Sequence, residues 1–210
     1  MIEGRKTDNL LMRIWLETIQ NIVGSNGTKA ILNHAQLQKY IDNFPPDNDE
    51  MEIPLEDVKN LRHSLIDLFG GKGAWGLQLR VGQRITRIFI EKRPGIAKAT
   101  RIATGLLSEP KRMRLALEHY KEQGERRTSS LLDAPRYDVQ EEEDYFLFID
   151  RDNYMSEGTT SQTPVCGVTV GSFQSMMEWI TGHKHKVEEI ECRAMGYPAD
   201  VFRIWKSKEE

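Results

Sequence analysis

Features that mark the common functional classes are scarce in this sequence. Only two cysteines occur among its 210 residues, so a disulfide framework is excluded and a reducing compartment is expected. No run of about 18 apolar residues occurs, so no membrane-spanning helix is predicted. The formal net charge of −3 gives no reason to expect a nucleic acid or an anionic membrane as a partner. Charged residues interrupt the N-terminal apolar ones, so no signal peptide is expected, and we predict a cytoplasmic protein.

Motifs for catalysis and nucleotide binding are missing as well. The glycines that surround Trp75 lack the GK[ST] ending of a phosphate-binding loop, and no strand pattern precedes them. The sequence also lacks a nucleophile elbow, an H-E-x-x-H helix and paired carboxylates at a catalytic spacing. Whether the protein is an enzyme therefore stays undecided, and a binding protein is favoured.

Apolar residues recur at helical spacing through the first part of the chain. Asp8 and Thr28 are expected N-caps, and the glycine-containing residues 24–27 are expected to separate the first two helices. The expected starts of the six helices are Asp8, Thr28, Pro54, Trp75, Ile96 and Lys111. The stripe on the first two helices has no strands to cover and is expected to be exposed.

Strand patterns replace the helical ones from residue 137 onward. Strands are predicted over residues 137–139, 144–150, 186–194 and 200–206, and one helix over residues 166–181. Both faces of the strand at 144–150 are apolar, which predicts that it is covered on two sides. The order of elements predicts an α+β fold, in which a helical N-terminal part precedes a small antiparallel sheet with one packed helix.

Both cysteines lie in the last quarter of the chain, together with two well-placed carboxylates. Cys166 stands at a predicted helix start, Cys192 lies in a predicted strand, and Glu189 and Asp200 flank Cys192. Two thiolates and two carboxylates can form a four-ligand metal site, for which zinc is the natural ion. The alternative is a pair of buried cysteines that act as small hydrophobic residues. Strict strand alternation places Glu189 and Cys192 on opposite faces, so a shared metal requires a bulge or a strong twist there.

The letters around these residues follow a recognisable order. C-x3-VG is followed by a helix that ends in glycine and then by VEEIEC-x-A-x-G-x3-D-x-F-x-I. This order resembles the C-terminal half of the 4-vinyl reductase domain family, in its free-standing, hydrocarbon-binding form. The family includes proteins of bacteriochlorophyll synthesis and the aromatic-sensing modules of bacterial phenol and xylene regulators, and it shares its fold with subunits of vesicle-tethering complexes. A weaker resemblance extends over the helical part from about Asn21.

The resemblance implies a metal site and names its ligands. In the zinc-bearing sensors of the family, the ligands correspond to Cys166, Glu189 and Cys192 of this chain, with a fourth cysteine after the hairpin turn. Asp200 stands at that fourth position, which departs from the family pattern. A carboxylate can bind zinc, although it is a harder ligand than a thiolate. A zinc ion with four protein ligands would be structural rather than catalytic.

The resemblance also implies a dimer and a ligand cavity. The first two helices pair two subunits in this family, so residues 1–53 are expected to be a dimerisation region of a homodimer and residues 54–210 the ligand-binding domain. The implied ligand is a small hydrophobic or aromatic molecule held between the helices and the sheet. The expected lining residues, each of which also suits ordinary core packing, are Trp75, Phe89, Tyr145, Leu147, Phe173, Met177, Trp179 and Phe202.

Two other functions stay open on the sequence alone. The family's name implies a role in tetrapyrrole metabolism, but no nicotinamide or flavin fingerprint occurs, so a tetrapyrrole carrier or a vinyl-reductase accessory is favoured over a reductase. The third possibility is a scaffold that binds only protein partners through its helical face.

Overall fold

The computed structural model describes residues 4–92, 94–95, 105–127 and 135–209. Its helices are α1 (Asn9–His34), α2 (Leu55–Lys92), α3 (Glu109–Arg127) and α4 (Gly167–Thr181). Its strands are β1 (Lys6–Thr7), β2 (Ile53–Pro54), β3 (Tyr137–Glu141), β4 (Tyr145–Asp150), β5 (His185–Glu191) and β6 (Asp200–Lys208). Two 3-10 turns cover Gln38–Tyr40 and Arg193–Met195. The predicted α+β class is confirmed, and most of the helix predicted at 96–107 lies outside the described residues.

The two long helices each change direction at one glycine. Gly24 in α1 has a φ of 76° and Gly70 in α2 a φ of 70°, a left-handed conformation that glycine adopts at little cost. The predicted break at Gly24 is confirmed, but the helix resumes directly after it. Thr28 therefore lies inside α1, where its hydroxyl donates to the Gly24 carbonyl oxygen at 2.9 Å. The predicted helix start at Trp75 was too late, because the chain turns at Gly70 instead.

The main sheet has four antiparallel strands in the order β3-β4-β6-β5. Its inner face is apolar, and the cross-strand pairs Phe148–Phe202 and Phe146–Ile204 are buried beneath the helices. The alternating residues of β4 on the outer face, such as Leu147, are only half-buried. The prediction that this strand is covered on two sides was therefore wrong for the part of the chain that the structure describes.

The apolar stripe of α1 is part of the core rather than a free surface. Met12, Trp15, Leu16 and Ile19 are fully buried and belong to the same cluster of apolar side chains as Phe202 of the sheet. Most of the stripe that motivated the expected homodimer is thus covered within one chain, whereas Ile22 at its C-terminal end is exposed. The homodimer and the division at residues 53 and 54 stay predictions. None of the described helices combines the length and apolar character that crossing a membrane requires.

Helices α2 and α4 cross at van der Waals distance because glycine stands on both sides of the contact. A Cβ atom at Gly82 would lie 2.0 Å from the Val168 carbonyl oxygen, and one at Gly171 would lie 2.1 Å from the Leu79 carbonyl oxygen. The Ser172 hydroxyl donates to the Gly82 carbonyl oxygen at 3.2 Å. The glycine that interrupts the helical pattern of α2 is therefore explained by the close approach of another backbone.

Replacement of Gly82 by alanine tests this crossing. We expect Gly82→Ala to lower the free energy of unfolding by about 1–3 kcal/mol, because the added methyl group forces the two helix backbones apart. Gly76→Ala in the same helix is the matched control, since a Cβ atom there meets no atom within 4 Å. The control should be neutral or stabilising by up to about 1 kcal/mol. Equal effects of the two substitutions in urea titrations would contradict the described crossing.

Candidate functional site

Four potential metal ligands converge at the end of the sheet beneath the start of α4. Cys166 is the N-cap of α4, Glu189 lies on β5, Cys192 follows β5, and Asp200 begins β6. All four side chains are buried, and one ligand atom from each lies within 4.8 Å of the other three. Tetrahedral zinc with ordinary bond lengths to sulfur and oxygen places its ligand atoms about 3.3–3.8 Å apart, which is compatible with this arrangement.

A β-bulge brings Glu189 and Cys192 to the same side of the strand. Glu189 pairs with Phe202 and Glu191 pairs with Val201, so β5 advances two residues where β6 advances one. The extra residue reverses the alternation of faces beyond it. The irregularity that a shared site requires is therefore present.

Backbone N–H groups and one hydroxyl hold both carboxylates in place by hydrogen bonds. The Cys166 backbone N–H donates to Glu189 Oε2 at 2.8 Å. The Arg193 backbone N–H donates to Asp200 Oδ1 at 2.8 Å, and the Ser156 hydroxyl donates to Asp200 Oδ2 at 2.6 Å. Glu189 Oε1 is buried and has no hydrogen-bond partner within the described part of the chain. A buried acceptor without a partner is unfavourable, and a bound cation at this position would satisfy it.

The cluster strongly perturbs the protonation of its members. Burial raises the pKa of Glu189 to about 9 and the pKa of Asp200 to about 7. Burial also raises the pKa of Cys166 well above its usual value. A hydrogen bond from Cys166 is the main cause that lowers the pKa of Cys192 to about 5. Four acidic groups in one buried space cannot all ionise without a compensating cation, so the donor set fits a divalent metal.

The residues predicted to line a ligand cavity are dispersed in the structure. Phe173, Met177 and Phe202 are fully buried in the core, where Phe173 packs its ring 4.8 Å from Phe148 and 5.6 Å from Phe202. Tyr120 of α3 closes the same group of rings at 5.0 Å from Phe173. Aromatic side chains thus fill the space between α4 and the sheet where the cavity was expected.

The remaining predicted lining residues lie at the periphery of that core. Tyr145 and Leu147 lie on the outer face of the sheet, and Tyr145 packs its ring 5.4 Å from Trp205. Trp179 is half-buried in α4, and Trp75 of α2 packs beside Gly167, the first residue of α4. The structure therefore does not bring these residues together around one cavity.

Phe89 lines a groove of about 310 Å³ between the N-terminal half of α1 and the C-terminal end of α2. The apolar walls are formed by Leu10, Leu11, Ile14, Ile85, Ile88 and Phe89, and the polar rim by Asp8, Asp47, Asn48, Asp49 and Lys92. Sequence reasoning did not single out Ile85 or Ile88 as site residues. The residues of the groove differ from core residues only because their apolar side chains form an accessible wall. The helical spacing of apolar residues in a sequence does not reveal such accessibility.

Comparisons with solved structures define the fold. An Fe(II) unliganded H-NOX protein from K. algicida superposes with a TM-score of 0.62 over 97% of both chains at 11% identity. An H-NOX protein from S. oneidensis in the Fe(II)NO ligation state gives a TM-score of 0.56 over 94% of this chain and 99% of that one, at 8% identity. The phenol-responsive sensory domain of the transcription activator PoxR, solved with phenol, gives 0.52 over 77% and 79% at 17% identity.

No protein-family model matches the sequence, and no curated protein sequence matches it significantly. The structural likeness at such low identity establishes the fold alone. The resemblance to the 4-vinyl reductase family and the fold relation to vesicle-tethering subunits are not established by these comparisons. What the comparisons show is a fold shared with H-NOX proteins and with a phenol-responsive sensory domain.

The H-NOX likeness raises the question of whether the described residues fit a haem. The buried histidine, His185, has both ring nitrogens occupied, at 3.0 Å from the Trp205 carbonyl oxygen and 3.1 Å from Thr181 Oγ1. His34, His119 and His183 are exposed, and His63 is half-buried beside the Arg62 guanidinium. With aromatic rings filling the interior, the described residues do not fit a haem.

Haem addition tests this conclusion. We expect the purified protein to give only the broad spectrum of free haem after reduction, because the described part of the chain offers no buried histidine with an available nitrogen. The measurement is absorbance between 380 and 600 nm before and after gel filtration. A sharp Soret band that co-elutes with the protein in stoichiometric amount would contradict the fit and revive the tetrapyrrole alternative.

Proposed function

We propose that this chain is a binding domain for a small hydrophobic or aromatic molecule and that a structural zinc ion holds its C-terminal part together. The observation that carries the proposal is the convergence of Cys166, Glu189, Cys192 and Asp200 in one buried space. Zinc is favoured over magnesium or calcium because two of the four donors are sulfur. All four donors belong to the protein, so the ion would be closed to substrate and structural in role.

The ion would join three elements of the C-terminal part of the chain. It would tie the first turn of α4 through Cys166 to the bulged end of β5 and to the start of β6. The Arg193–Met195 turn between Cys192 and Asp200 would be fixed at both ends. The metal would thus set the position of α4 on the sheet, and through the Gly82–Gly171 crossing the position of α2.

The groove beside Phe89 is the proposed ligand site. Its volume of about 310 Å³ lies at the lower end of the range for small-molecule pockets, which suits a single aromatic ring with small substituents. The PoxR sensory domain, which shares the fold, was solved with phenol. The 4-vinyl reductase resemblance supports the same class of ligand, and membership of that family is part of the proposal.

Metal analysis of substituted proteins tests the zinc proposal. We expect the native protein to retain one equivalent of zinc, and Cys192→Ser to lose it because a thiolate ligand is removed. Glu188→Gln is the matched control, since Glu188 accepts a hydrogen bond from Trp205 Nε1 at 3.0 Å on the other face of the same strand. Asp200→Cys should bind zinc more tightly, because a thiolate is the softer ligand.

Melting temperatures measured with and without a chelator distinguish a bound metal from an empty site. Chelation of the metal should lower the melting temperature of the native protein and leave that of Cys192→Ser unchanged. A native protein that holds no zinc after reloading under reducing conditions, and that melts identically with and without it, would rule out the metal site.

Titration with phenol and xylene tests the groove. We expect both compounds to raise the melting temperature, and Phe89→Ala to weaken their binding by about tenfold or more because an apolar wall is lost. Leu115→Ala is the control, since Leu115 is an exposed apolar residue on α3 that lies outside the groove. Equal affinities of the two variants in calorimetry would place any ligand elsewhere.

A further inference from the structure

Arg62 is a buried cation with no carboxylate at ion-pair distance among the described residues. It is 2% exposed, and its Nη1 atom has no hydrogen-bond partner among the described residues. Its Nη2 atom donates to Thr159 Oγ1 at 2.5 Å and lies 3.3 Å from His63 Nε2. Neither neighbour balances the charge of the guanidinium, because Thr159 is uncharged and the imidazole of His63 is either neutral or positive. A buried guanidinium in this setting is unfavourable unless negative charge lies close by.

That negative charge is supplied by the metal-ligand cluster. Burial lowers the pKa of Arg62 from its usual value, whereas the charges of Cys166, Cys192, Tyr154 and Glu189 raise it. Three of the four residues of the cluster therefore act electrostatically on this one guanidinium. Tyr154 is the one further side chain among these contributors that lies outside the cluster.

Hydrogen bonds also connect Arg62 to the cluster. The hydroxyl of Thr159 accepts a hydrogen bond from Arg62. The backbone N–H of Thr159 donates to the Ser156 carbonyl oxygen at 3.2 Å. The Ser156 hydroxyl in turn donates to Asp200 Oδ2 at 2.6 Å. The same loop donates from Ser161 N–H to the Ala194 carbonyl oxygen at 2.8 Å, beside Cys192. Arg62 of α2 is thus linked to the loop that holds Asp200 in place.

Charge balance explains why such a cation is required. Two thiolates and two carboxylates carry four negative charges, of which a divalent ion neutralises only two. A buried complex with two excess negative charges is strongly disfavoured in a low-dielectric interior. A fixed guanidinium beside the complex reduces that excess without occupying a coordination position.

We propose that Arg62 is the internal counter-cation of the Cys166, Glu189, Cys192 and Asp200 site and sets its affinity for a divalent metal. This inference rests on the proposed zinc site. Arg62 is a positioning residue, because it acts on the metal through the charge of the ligands and through the Thr159–Ser156 connection to Asp200. It also makes α2 sensitive to whether the metal is bound, since the excess charge that it compensates changes with occupancy.

Zinc competition titrations test the proposal. We expect Arg62→Met, which keeps the volume and removes the charge, to weaken zinc binding by about ten- to a hundredfold, the usual effect of losing a partner of the ligands. Arg62→Lys should restore most of the affinity because it restores the charge. Arg203→Met is the control, since Arg203 is a half-buried arginine over the Tyr145 and Trp205 rings on the outer face of the sheet. Unchanged affinity in Arg62→Met would overturn the proposal.

A second comparison separates charge from folding. In the Cys166→Ser/Cys192→Ser background, Arg62→Met should lower the melting temperature less than in the native sequence, because the charge that Arg62 compensates is reduced. An equal loss in both backgrounds would show a packing role and overturn the proposal.

If Arg62→Met does not fold, Thr159→Val takes its place. This variant should weaken zinc binding severalfold, and unchanged binding would count against the inference. A native protein without zinc would instead refute the proposed function itself.

Discussion

The bulge between Glu189 and Glu191 is the constraint on which the rest of this site depends. Without it, strand alternation would direct Glu189 and Cys192 to opposite faces of β5, and no single ion could contact both. With it, Glu189 and Cys192 lie on the side of the sheet that contacts the start of α4, where the Cys166 N–H donates to Glu189. The Arg193–Met195 turn then returns the chain to Asp200 at the start of β6. One extra residue in one strand thus creates the arrangement of all four ligands.

Burial of this many acidic groups requires compensation of their negative charge, and several kinds of group provide it. Backbone N–H groups of Cys166 and Arg193 and the Ser156 hydroxyl stabilise the two carboxylates. The buried Arg62 guanidinium of α2 is the proposed counter-cation. The raised pKa values of Glu189 and Asp200 nevertheless show that these partners leave the ionised cluster undercompensated. A divalent cation is the addition that would balance it.

Much of this fold follows from local sequence patterns, because caps, helical repeats and strand alternation act over a few residues. Asp8 indeed caps α1 through a 2.7 Å hydrogen bond from the Leu11 N–H, and the four predicted ligands do converge. Patterns could not reveal that the aromatic rings of Phe148, Phe173 and Phe202 pack against one another, since tertiary contacts decide whether such residues line a cavity or fill a core. Arg62 was overlooked although its spacing from Val58 and Leu65 places it on the buried face of α2.

X-ray absorption at the zinc edge of the native protein is the most direct test of the central claim. The account predicts two sulfur neighbours at about 2.3 Å and two oxygen neighbours at about 2.0–2.2 Å, with no imidazole contribution. A zinc ion surrounded by oxygen alone, or one with histidine ligands, would contradict it, because the cluster of Cys166, Glu189, Cys192 and Asp200 offers neither arrangement.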